Sequence, residues 1–61
     1  MSIIIEKNGK QVMELAQNGG ICAIVKRYEN GMVHTVISVE KFASILDRAY
    51  EGGYDIFDYD F

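Results

Sequence analysis

Three Asn-Gly steps, at Asn8-Gly9, Asn18-Gly19 and Asn30-Gly31, and a glycine pair at Gly52-Gly53 divide the chain into short segments. Asn and Gly both tolerate positive φ, so each step marks a turn or a helix cap. The residues between the breaks then decide the elements.

Ser2 to Ile5 is short and β-branched, which suits a strand. Lys10 to Gln17 places Val12, Met13, Leu15 and Ala16 within two turns among good helix formers, and Asn18-Gly19-Gly20 follows as a C-cap. That spacing predicts a short helix. A competing reading makes Asn8-Gly9 a type I′ hairpin between residues 3–7 and 10–15. Farther on, ICAIVKRY (21–28) and MVHTVIS (32–38) flank Glu29-Asn30-Gly31, the strongest hairpin signal in the chain. In the second arm Val33, Thr35 and Ile37 share one face, and Met32, His34, Val36 and Ser38 the other. Apolar residues on both faces suit a strand covered twice, by a helix and by a second subunit. Cys22, Met13 and Met32 read as core residues, and His34 as structural or interfacial.

Ser38 can cap a helix whose first turn holds Glu40 against the positive end of the dipole. Val39, Phe42, Ala43, Leu46, Ala49 and Tyr50 form an amphipathic stripe that Gly52-Gly53 stops. The order is strand, helix, hairpin, helix, tail. The expected fold class is α+β, a small β-α-β-β-α domain with an antiparallel hairpin.

A chain of 61 residues is one domain, and at this size only about 60% of the unfolded surface is buried. Disulfides, a metal or a partner subunit usually supply the missing stability. One Cys (Cys22) and one His (His34) provide neither an internal disulfide nor a tetrahedral zinc site. The expectation is therefore a homodimer or a higher homo-oligomer. The 49% apolar and 25% charged composition is globular. No apolar run approaches the roughly 20 residues that span a bilayer. MSIII is followed by Glu6 and Lys7 rather than a signal-peptide core, and with a free thiol the chain reads as cytoplasmic.

Charge is unevenly divided. Residues 1–46 hold five Lys/Arg against four Asp/Glu, net +1, whereas residues 47–61 hold Arg48 against five Asp/Glu, net −4. This suggests a body over residues 1–51 and an acidic aromatic tail over residues 52–61. In the tail Tyr54, Asp55, Ile56, Phe57, Asp58, Tyr59, Asp60 and Phe61 interleave anchors for pockets with carboxylates for Arg or Lys of a protein partner. As a strand, Phe57, Tyr59 and Phe61 share a face and could pair with a sheet edge. As a helix, Phe57 and Phe61 continue the stripe of Tyr50 and Tyr54, at the cost of two interior glycines. As a linear segment the tail orders when a partner arrives, and the plainest reading is a tail that folds back to cover the core.

The stretch from Gly19 to Tyr50 resembles the Phd/YefM family of antitoxins, through Gly20, Ile24, Lys26, Arg27, Val36, Ile37, Ser38, Glu40, Phe42 and Leu46. The resemblance implies a domain that dimerises through its sheet and binds operator DNA with basic residues near the first helix and the hairpin. It also implies a C-terminal segment that wraps and neutralises a toxin. On this chain the DNA contacts would fall to Lys7, Lys10, Lys26 and Arg27, with first-helix N–H groups meeting a phosphate. A solvated strand end and a charged loop are the plainer readings, because six basic residues at pI 4.8 build no strong field. A different class of function is an acidic phage- or mobile-element-type inhibitor whose Asp55, Asp58 and Asp60 imitate DNA phosphates and block a nucleic-acid-processing enzyme. The sequence holds no triad, phosphate loop or zinc spacing, so no enzyme and no cofactor is expected. Asp55, Asp58 and Asp60 lack the loop glycine and bidentate Glu of a calcium site.

Overall fold

A computed structural model describes residues 1–59. The chain forms β1 (Ser2–Lys7), β2 (Lys10–Asn18), β3 (Ile21–Tyr28), β4 (Gly31–Ile37), α1 (Val39–Glu51) and β5 (Asp55–Tyr59). All five strands join one antiparallel sheet in the order β4-β3-β2-β1-β5. The first four make a meander, and α1 carries the chain back across one face so that β5 lands beside β1.

The expected β-α-β-β-α arrangement is not adopted, because Lys10–Gln17 belongs to a strand. Asn8 at φ 54° and Gly9 at φ 79° form the tight turn that the competing hairpin reading required. Helix propensity loses to pairing on both sides. Leu15 lies between Ile3 and Ile24, and Ala16 between Ser2 and Ala23. Alternation then sends Met13 and Leu15 toward the helix and Glu14 and Ala16 to the opposite face. Asn18-Gly19-Gly20, expected as a C-cap, is a hairpin connection with Asn18 opposite Ile21. Ile5 faces Met13 and Glu6 faces Gln11, so Val12 is the extra residue of a β-bulge.

Ser38 does cap α1: its hydroxyl oxygen accepts from the Lys41 N–H at 3.0 Å. The buried stripe differs in detail from the expected one. Phe42 and Ala49 are buried, and Ile45 and Leu46 pack on the core, whereas Val39, Ala43 and Tyr50 are exposed. The helix is rotated so that its apolar face meets Ile3, Ile5, Leu15 and Cys22. Leu15 and Cys22 are the most deeply buried side chains, and the thiol is free.

Gly52 and Gly53 end α1 in a Schellman motif. The Tyr54 N–H donates to the Ala49 carbonyl at 2.9 Å and the Gly53 N–H to that of Tyr50 at 3.2 Å. Gly53 takes φ 74°, a left-handed turn that aims β5 along β1.

Candidate protein-interaction surface

The sheet has two outer strands of opposite character. β5 is short and carries Asp55 and Asp58, whereas β4 runs seven residues, GMVHTVI, without a charge that is permanent at neutral pH. Short, charged edges resist further strand pairing and long apolar ones invite it.

β5 is held from both ends. At its start, Lys7 Nζ donates to the Gly52 carbonyl at 2.8 Å and sits 4.5 Å from the centroid of the Tyr54 ring, a cation–π contact. Along its length, Ile5 faces Ile56, Ile4 faces Phe57, Ile3 faces Asp58 and Ser2 faces Tyr59. The stretch whose strand, helix and linear readings competed is thus a strand over residues 55–59. Every residue of β5 is nonetheless exposed. Phe57 (42%) and Tyr59 (45%) rise from the face away from the helix, beside the half-buried Ile4. Asp60 and Phe61, also expected to meet a partner, lie outside the described residues. Asp55 is set directly opposite Glu6 in the ladder.

Two of the four expected DNA contacts already have partners within the chain. Lys7 is engaged under Tyr54, and Arg27 is bound to Glu14. Lys10 and Lys26 are exposed on separate strands. Because Lys10–Gln17 is a strand, there is no first-helix N-terminus to receive a phosphate. Met32, expected in the core, is 53% exposed on β4, where His34 is exposed as well.

Sequence reasoning passed over Glu14. It is the one buried charged residue among those described, at 6% exposure. Arg27 Nε donates to Oε1 at 2.8 Å and Nη2 to Oε2 at 2.9 Å. These hydrogen bonds hold the carboxyl below its ordinary value against the opposing effect of burial, with the charges of Arg27 and His34 adding to the lowering. The strand alternation that puts Glu14 and Arg27 on one face could have revealed the pair, had residues 10–17 been read as a strand.

Among the described residues, no group of His, Cys, Asp and Glu is set to hold a metal ion. No helix among the described residues is long and apolar enough to cross a membrane. Comparison with protein-family models, with curated proteins and with solved structures finds no match to this chain.

Proposed function

We propose that the protein acts by occupancy: it binds a basic surface of a protein partner through β5 and blocks that surface. The acidic, aromatic edge of Asp55–Tyr59 carries the reading. Phe57 and Tyr59 supply exposed aromatic area of the kind that anchors interfaces. Asp55 and Asp58 supply charge complementary to Arg or Lys and steer the approach.

Binding would not wait on the ordering of a flexible segment. The strand is already paired to β1, so less conformational entropy is lost when a partner arrives. Toxin neutralisation and blockade of a nucleic-acid-processing enzyme both fit this mode, since either target carries a cationic surface. Operator binding has weaker support, with Lys7 and Arg27 engaged within the chain.

The test is co-purification from the native cell, with cross-links located by mass spectrometry, for the parent and the D55N/D58N and F57S variants. A basic protein retained by the parent, released by salt and lost with both variants is the expected result. Equal retention by the variants would overturn the reading; specific retardation of DNA upstream of the protein's own coding region would favour the antitoxin-like regulator over the DNA mimic.

A further inference from the structure

We infer that β4 pairs with β4 of a second copy, antiparallel about a two-fold axis beside His34, to make one continuous sheet through both subunits. The strand is exposed from Gly31 to Val36, and only Ile37 is partly covered. Both of its faces are apolar. Met32 (53%) and Val36 (69%) stand on the face away from the helix and Val33 (52%) on the other, because α1 crosses the sheet without covering the far part of β4. Alternate residues of an outer strand leave their N–H and C=O groups directed away from the sheet.

A second copy is the occupant that these residues fit. Partners across an antiparallel ladder share a face, so a two-fold axis normal to the sheet must pass beside a residue that meets its own counterpart. His34 is the middle residue of Gly31–Ile37, and centring there matches the whole strand. Met32 then meets Val36 of the other copy, Val33 meets Thr35 and Gly31 meets Ile37. No acid faces an acid and no ammonium an ammonium. The β5 edge is less suited to this, because it is only five residues long and two of them are carboxylates that pairing would bring out of water. The small chain supplies the driving force: its own core is modest, and exposed Met and Val side chains remain to be buried.

The assembly would have five strands from each copy, ten in all. The two β5 edges would lie at its far ends, nine steps of about 4.8 Å apart, roughly 43 Å. Pairing through β4 is independent of the β5 reading and is tested by different substitutions.

Sedimentation should find a dimer for the parent protein and a monomer for H34K, which sets an ammonium against its own copy at an exposed position and should leave the circular dichroism unchanged. In H34C the facing Cα atoms, about 4.5–5.5 Å apart, fall within disulfide range. Mild oxidation should therefore give a covalent dimer, while E51C on the helix should not cross-link. Buried Cys22 is the internal control. A monomeric parent protein would overturn the inference. So would a dimer that survives H34K and fails to cross-link through H34C, since that dimer would use another face.

Discussion

Arg27 grips Glu14 across the β2–β3 ladder with two hydrogen bonds, at 2.8 and 2.9 Å, on the sheet face that α1 leaves open. The pair is lopsided: the Glu14 side chain is 7% exposed and that of Arg27 60%. The carboxylate is therefore the member that depends on its partner.

Acid stability should report this dependence. Glu14 titrates below its ordinary value of 4.5 in the folded protein. Its contribution is complete above the unfolded value and disappears as pH falls through the lower folded one. The thermal midpoint of R27Q should lie below that of the parent at neutral pH, and the gap should narrow as pH falls, because a buried carboxylate without its guanidinium takes up a proton more readily in the folded state than in the unfolded one. E14Q should remove this part of the acid limb. Melting curves from neutral to acid pH, with an NMR titration of the Glu14 carboxyl, provide the check.

Leu15 has no exposed surface. Truncation to Ala removes buried methyl groups and leaves a cavity, at about 2–5 kcal/mol, comparable to the whole stability of a small domain. Urea unfolding should show L15A largely unfolded, whereas L15M should lose less than about 1.5 kcal/mol.

S38A should cost about 1 kcal/mol by leaving the Lys41 N–H without its cap. In a domain of this size that corresponds to about 4–8 °C in the melting temperature. S38D should restore most of the loss.

The adjacent glycines should fail for different reasons. Gly52 has an ordinary φ of −79°, but an added Cβ would stand 2.9 Å from Tyr54 Cε1 and 3.1 Å from the Arg48 carbonyl oxygen. In G52A the ring must move away from Lys7, and the ring-current shift of the Lys7 side chain should change in the NMR spectrum. Gly53 has open space around it but φ 74°, so G53A should cost about 1 kcal/mol in backbone strain and G53N less. Neither Gly53 variant should disturb the Lys7 signal.

The hairpin from Ile21 to Ile37 and the helix from Val39 were legible because local chemistry fixes them: Asn30-Gly31 at the turn, then Ser38 and Glu40 at the cap. β2 was not. Met13, Glu14, Leu15, Ala16 and Gln17 favour a helix in isolation, and the strands that overrule them stand on either side of β2 in space. One misjudged element then hid the site. With β2 read as a helix, Glu14 had no reason to meet Arg27, and nothing singled out β1 as the edge that Asp55–Tyr59 would join. Apolar residues on both faces of β4 predict a strand covered twice, yet the strand is exposed from Gly31 to Val36, on the helix side as well. How far α1 would reach across the sheet depended on a helix rotation that the stripe, read as Val39, Ala43 and Tyr50 rather than Ile45, did not give.

The β1–β5 ladder joins residue 2 to residue 59. The meander and helix can zip from neighbour to neighbour, but this closure must wait for nearly the full length of chain to be gathered in, and loop-closure entropy makes it the slow event. Until it occurs, the outer side of β1 is bare and rich in isoleucine. The strand that completes the sheet therefore also covers the edge of β1 on which stray strands would otherwise pair.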